Sequence, residues 1–97
     1  MRKIHFTWDT EKARSNLAKH NVSFEEAQTV FDDENARLIF DPDHSVDEAR
    51  FILLGYSRRS RILTVVHCYR DDEQTVRLIS ARRSTKKEEK QYREFLS

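Results

Sequence analysis

Arginine is the side chain best able to do chemistry in this sequence, and it is concentrated late. Arg50, Arg61, Arg70 and Arg77 fall at the ends of, or within, three β-rich runs, and Arg82 and Arg83 follow directly in "VRLISARRSTKKEEKQY". A guanidinium stays charged and grips phosphate with paired, planar donors, so several on one sheet would cradle a phosphodiester. The competing reading makes them solvated strand-end charges, paired with acids from the first half of the chain. Other chemistries find little support. There is no Gly-rich phosphate loop, no CxxC, no HExxH and no GxSxG. His5, His20, His44 and His67 are scattered without ligand spacing, so no metal is expected. The single Cys68 can form no internal disulfide and reads as a small buried hydrophobe.

Two residues carry paired readings. His67 lies mid-strand in "TVVHCY" and shares a face with Val65 and Tyr69 by alternation. It is either a core-edge histidine with a satisfied hydrogen bond or an acid–base group facing the cradle. Tyr92 is either a packing residue with a polar tip or a hydroxyl reaching the strand-end arginines.

The whole chain limits the partners. Ninety-seven residues make one domain, 1–97. Hydrophobic content is 37% and charged content 36%, with ten aromatics, too aromatic a mix for a disordered chain. The net charge of +1 hides an asymmetry: residues 1–48 hold six Lys/Arg against eleven Asp/Glu, whereas residues 49–97 hold twelve against six. A basic half suits an anionic partner, or it attracts the acidic half within the fold. No apolar run approaches the roughly 20 residues of a membrane span, and "MRKIHFTWDTEK" has no apolar signal region. The expected compartment is the cytoplasm, with no membrane contact.

The elements that must position the arginines follow from the pattern. "KIHFTW" alternates as a first strand, with Ile4, Phe6 and Trp8 on one face. Asp9 or Thr10 caps a helix running to Lys19 or His20, with Ala13 and Leu17 as its apolar stripe and Asn21 at the left-handed stop. Ser23 and Glu26 have capping-box spacing for a second helix, with Val22 and Ala27 as its staple and Ala27, Val30 and Phe31 as its buried stripe. "ARLIF" reads as a strand and "DPDHSVDEA" as a loop. "RFILLGYS", "RILTVVHCY" and "TVRLISA" follow as strands joined by hairpin turns, "RDDEQ" among them. Thr85 and Glu88 form a second capping box, and Tyr92, Phe95 and Leu96 make the docking stripe of a last helix. The order predicts an α+β fold: an antiparallel sheet with two N-terminal helices and a C-terminal helix packed against it, the helices on one face.

"FTWDTEKARSNLAKHNVSFEEAQTVF", "RFILLGYS", "RILTVVHCYR" and "VRLISARRSTKKEEKQY" together resemble the BrnT family in order and spacing over nearly the whole chain. Lys19, His20, Phe24, Glu26 and Ala27 match its first motif. Arg50, Gly55, Arg61, Arg70, Arg77, Ser80, Arg82, Thr85, Glu88 and Tyr92 match the later ones. Ser60 stands where the family usually has glycine, Ser84 where alanine is usual, and "RDDEQ" lacks the usual glycine.

The resemblance implies a RelE-like fold and a ribonuclease toxin of a type II toxin–antitoxin pair, cleaving RNA without metal or cofactor. Taken with the residues themselves, it makes Arg61, Arg70, Arg77, His67 and Tyr92 the candidate catalytic residues, and Lys19, His20, Arg50, Arg82 and Arg83 the candidate RNA contacts. His67, Tyr92, Glu88 and His20 all stand as candidates for moving protons. The implied partner is a BrnA-like ribbon-helix-helix antitoxin, in a hetero-oligomer that meets operator DNA only through that antitoxin. The alternative is a non-catalytic, toxin-like binding module, since one fold hosts several functions.

Overall fold

The computed structural model describes residues 4–42, 48–70 and 74–96. Strand β1 (His5–Thr7) leads to helices α1 (Thr10–His20) and α2 (Phe24–Thr29), the latter continued by a 3₁₀ turn, Val30–Asp32. Strands β2 (Arg37–Asp41), β3 (Arg50–Tyr56), β4 (Ile62–Arg70) and β5 (Thr75–Arg83) follow, then helix α3 (Lys86–Leu96). The "RDDEQ" turn lies largely outside the described residues, as does most of "DPDHSVDEA". Among the described residues no helix is long and apolar enough to cross a membrane.

The sheet order is β1-β5-β4-β3-β2. The run from β2 to β5 is antiparallel, as the short connections dictate. β1 corrects the all-antiparallel expectation: it pairs parallel to β5, Phe6 opposite Val76. Two helices separate β1 from the later strands, so no hairpin constrains its direction.

Alternation assigns the two faces. Val22, Phe24, Ala27 and Val30 pack with Leu53, Leu63, Val65, Val76, Leu78 and Ala81 in one core under α1 and α2. Phe6 meets Phe31 edge-on at 5.0 Å and Trp8 meets Phe24 at 5.8 Å, so β1 closes one side of this core. A second cluster, Leu54, Ile62 and Tyr92, lies on the opposite face. Helix α3 therefore does not join the other two on one face, as the sequence pattern suggested. Only Tyr92 of its stripe is buried; Phe95 is 60% exposed, with the Arg37 guanidinium 4.7 Å over its ring.

Leu78 and Ala81 both face the main core although they are three residues apart, which a regular strand forbids. A bulge resolves this: Val66 pairs with Ser80 but His67 pairs with Leu78, leaving Ile79 as the extra residue.

The helix ends follow their sequence signals. Asp9 Oδ1 accepts the amides of Glu11 at 2.8 Å and Lys12 at 3.1 Å. Asn21 takes φ 56° and donates its amide to the Leu17 carbonyl. Ser23 Oγ accepts the Glu26 amide at 3.0 Å, but the Glu26 carboxylate leaves the capping box for other partners. The predicted α1 stripe holds for Ala13, which packs against the main core, but not for Leu17. Leu17 is 48% exposed, and the buried residue is Asn16. Its amide donates to the carbonyls of Val22 at 2.9 Å and Ala81 at 2.7 Å, and its oxygen accepts the Ala81 amide at 3.0 Å. β1 covers β5 only as far as Arg77, so Asn16 supplies the hydrogen bonds that a longer strand would give Ala81.

Gly55, the one glycine, admits the turn after α2. A Cβ there would lie 2.8 Å from Asp33 Oδ2 and 2.9 Å from the Ala36 Cβ. Asp33 can thus accept the Tyr56 amide at 2.9 Å. Ser60 takes φ 60° in the β3–β4 turn, the left-handed conformation that glycine adopts without a Cβ penalty.

Candidate RNA groove on the open sheet face

The face of the sheet away from α1 and α2 is covered at one end by α3. The rest is a groove of about 310 Å³ lined by Asp41, Arg50, Ile52, Thr64, Val66, Ile79, Ser80 and Arg82. Each residue is there by register. Ile52 pairs with Val66 and Val66 with Ser80, giving a floor that the bulged Ile79 widens. Arg50 pairs with Asp41 at one side, and Thr64 pairs with Arg82 at the other. Continuing the alternation along β4 and β5 puts Cys68, Arg70 and Arg77 on this same face, with Cys68 directly opposite Arg77.

The electrostatics are those of guanidiniums steadied by carboxylates. Arg82 grips Glu88 with both ends of its fork, Nη1 to Oε1 at 2.8 Å and Nη2 to Oε2 at 2.9 Å. Glu88 Oε1 also accepts the Thr85 amide at 2.9 Å, and Thr85 Oγ1 accepts the Glu88 amide at 3.2 Å, completing the predicted capping box. The Arg82 bond pulls the Glu88 carboxyl down to about 2 despite its partial burial. Glu88 is thus committed to Arg82 and to the Thr85 amide. Arg70 Nη1 donates to Glu48 Oε2 at 3.3 Å. Cys68 is fully buried, as expected, and burial followed by Glu48 pushes its thiol up, away from the reactive thiolate.

Four of the ten sequence-selected residues therefore share the open face: Arg50, Arg70, Arg77 and Arg82. The others are elsewhere. Arg61 lies on the helix side in a buried network, where its Nε donates to Glu26 Oε2 at 2.9 Å and its Nη2 to the Glu26 Oε1 and, at 3.1 Å, to the Asn21 carbonyl. Ser57 Oγ adds a 2.6 Å bond to Glu26 Oε2. Burial alone would raise the Glu26 carboxyl; the Arg61 and Ser57 bonds outweigh it and hold the carboxyl below its usual range. Arg61 thus anchors α2 on the helix side, apart from the groove.

His67 also lies off the groove. It is fully buried on the helix side, with Phe31 at 4.9 Å and Tyr69 at 5.3 Å between ring centroids. Its Nδ1 lies 3.3 Å from the Val65 carbonyl, while Nε2 has no partner among the described residues. Burial lowers its pKa to about 4. It cannot reach a phosphate on the far face. Tyr92 is 1% exposed and donates its hydroxyl to Asp33 Oδ2 at 2.6 Å; burial and then Asp33 push the phenol up. It holds α3 to the turn below Gly55 and lines no part of the groove. Lys19 and His20 are exposed at the end of α1, and Arg83 pairs with Leu63 on the helix side. The sequence reading missed Asp41 and Thr64, whose places depend on strand register.

Residues 8–88 match the family described as ribonuclease toxin, BrnT, of type II toxin–antitoxin system. The chain belongs to this family. The matched stretch contains every residue that lines the groove and ends at Glu88. A comparison with curated proteins finds no match. Among solved structures, the chain is similar to the 1.1 Å crystal structure of the Brucella abortus ribonuclease toxin BrnT, with 22% identity and a TM-score of 0.62. The alignment covers 89% of this chain and all of that one, so the fold is that of a BrnT toxin. Membership in a type II system also implies an antitoxin partner and an RNA substrate. Among the described residues no three His, Cys, Asp or Glu side chains come together as a metal-ligand set.

Proposed function

We propose that this BrnT-family chain is an endoribonuclease that cuts RNA without metal, using the open sheet face as its phosphate site. The observation that carries the reading is the shared face of Arg50, Arg70, Arg77 and Arg82 around an aliphatic floor. RNA brings its own nucleophile, the 2′-hydroxyl. The enzyme has only to align it in line with the P–O5′ bond and to stabilise the charge that grows on the phosphorane. Guanidiniums do the second task, and the Ile52, Val66 and Ile79 floor offers an apolar surface for a sugar or base. Cleavage of messenger RNA then stops translation and growth. Such an activity has to be held in check, and the partner we propose is a ribbon-helix-helix antitoxin. That antitoxin binds operator DNA on behalf of a toxin–antitoxin hetero-oligomer in the cytoplasm.

The test uses purified protein freed of its antitoxin, end-labelled RNA and excess EDTA. Expected are fragments ending in 2′,3′-cyclic phosphate, with no cutting of RNA that is fully 2′-O-methylated. Activity lost in EDTA and restored by Mg²⁺, or cleavage of the methylated RNA, overturns the mechanism. An intact, folded protein that cuts neither RNA nor ribosome-bound message is a binding module instead.

A further inference from the structure

We infer that the outer edge of β2 pairs with the same edge of a second copy of this chain, antiparallel about Ile39, to make a symmetric dimer.

An edge strand offers a row of backbone donors and acceptors, which proteins shorten, charge or cover to prevent pairing. One edge of this sheet is β1, only three residues long. The other is β2, five residues long, whose only strand partner among the described residues is β3. Its side chains do not protect it. Leu38 and Phe40 are each about half exposed. They stand opposite Leu53 and Phe51, so both lie on the helix side. On the open side, the Arg37 guanidinium lies over the ring of Phe95, which is also exposed. Three of the seven large hydrophobics exposed among the described residues therefore gather at this one edge.

The order of the five residues selects a second copy as the occupant. Antiparallel pairing centred on Ile39 sets Leu38 of each copy against Phe40 of the other, on the helix side. On the open side it sets Ile39 against Ile39, and Arg37 of each copy against Asp41 of the other. A two-fold axis makes every such contact twice. Each apolar residue meets an apolar one, and both charge pairs are of opposite sign, the combinations that stabilise neighbouring strands. Asp41 already has a partner within its own chain, and a carboxylate, with two oxygens, accepts from a second donor as well. Centring the pair on Leu38 or Phe40 instead sets a charge against Ile39 and removes both ion pairs. The faces also agree: the helices of both copies lie on one side of the joined sheet, and both grooves open on the other.

The first measurement is sedimentation equilibrium of the full chain, freed of its antitoxin, from about 1 µM to 1 mM, which spans the weak association of a small interface. The mass should rise with concentration from one chain of 11.6 kDa towards two. Leu38→Lys puts an ammonium where Phe40 of the other copy would pack, and should stay at one chain throughout. The second measurement reads the register. In this pairing the Cα atoms of Leu38 and of the opposite Phe40 lie about 4.5–5.5 Å apart, within disulfide reach, whereas two copies of Leu38, or of Phe40, lie about 8 Å apart. Under mild oxidation Leu38→Cys alone and Phe40→Cys alone should stay uncrosslinked, and their mixture should crosslink. Cys68 is fully buried and does not compete. Circular dichroism checks that each variant is folded. A wild type that stays monomeric overturns the inference, as does a folded Leu38→Lys that associates like wild type. Single cysteine variants that crosslink to themselves as readily as the mixture mark another register and also overturn it. A monomeric chain whose amides at residues 37–41 exchange slowly only with antitoxin bound assigns the edge to the antitoxin instead.

Discussion

Acid should destabilise this protein through His67 before it protonates most carboxylates. The folded pKa of about 4 lies well below the ordinary 6.5, because burial among Phe31, Phe51 and Tyr69 disfavours the imidazolium. The unfolded chain takes up a proton as pH falls through about 6.5, whereas the folded chain resists until about 4. Protons therefore favour unfolding. The stability owed to neutral His67 is whole above about pH 6.5, falls between 6.5 and 4, and is gone below about 4. One pKa unit corresponds to about 1.4 kcal/mol, so the full loss is about 3 kcal/mol and the loss at pH 5.5 is about 1.4 kcal/mol. Against the roughly 5–15 kcal/mol of a typical domain this is large.

The assay is urea unfolding at pH 7.0, 5.5 and 4.5 for wild type and His67→Leu. With a slope of roughly 1–3 kcal/mol per molar urea, the wild-type midpoint should fall by roughly 0.5–1.4 M between pH 7.0 and 5.5. Leucine has no proton to bind and no unpartnered Nε2, so the variant should be flat over that interval and lose little at pH 7. The paired carboxylates do not confuse the window. Glu26, Asp33 and Glu88 are all held below their usual range, so they start to cost stability only once the unfolded carboxylates protonate, near pH 4.5 and below. A His67→Leu variant whose midpoint falls as steeply as wild type between pH 7.0 and 5.5 would refute the argument.

Two further outcomes follow from the helix-side network and the β3–β4 turn. Arg61→Ala should destabilise by about 3 kcal/mol, because the Glu26 carboxylate is only 3% exposed and is left without its main partner. Thermal unfolding checks it, and an unchanged midpoint with lost RNA cleavage would return Arg61 to the active site. Ser60→Gly should stabilise by about 0.5–1 kcal/mol, the relief of a left-handed residue at φ 60° less the added freedom of the unfolded chain. A lowered thermal midpoint would show that the serine side chain earns its place there.

What the sequence allowed and what it hid divide along one physical line. Local signals were legible. Asp9, Ser23 and Thr85 cap helices, Asn21 stops one, and the β-rich runs became strands. Which side of a strand faces a helix was not legible. In β4, Leu63, Val65, His67 and Tyr69 turn to the helix side, as does Arg61 just before it, while Ile62, Thr64, Val66, Cys68 and Arg70 turn to the open side. Parity alone separates Arg61 from Arg70 and removes His67 from the groove. The difficulty is that "ILTVVHC" is apolar on both faces, because Ile62 supports α3 while Leu63 supports α2. Alternation then gives two sets of residues without saying which is the site. The Ile79 bulge adds a second obstacle, since it shifts β5 by one residue in mid-strand and nothing in "RLISA" marks it. Asp41 was hidden for a third reason. It sits beside Pro42, where the sequence suggests a loop, and only its pairing with Arg50 brings it into the groove.

The placement of arginine late in the chain now has a structural cause. β5 must present Val76, Leu78 and Ala81 to the main core, so the positions that alternate with them point to the open side. Arg77 and Arg82 occupy those positions. A guanidinium on a flexible stem needs something to aim it, and for Arg82 that is Glu88. The same carboxylate accepts the Thr85 amide that begins α3. Helix α3 in turn is pinned through Tyr92 to Asp33, in the turn that Gly55 lets approach β3. Groove and scaffold therefore share parts: the helix that closes one end of the open face starts on the residue that orients its arginine. A change that frays the first turn of α3 disorders Arg82 without touching it. On the phosphate-site reading proposed above, capping strength should therefore bear on phosphate binding as well as on helix stability.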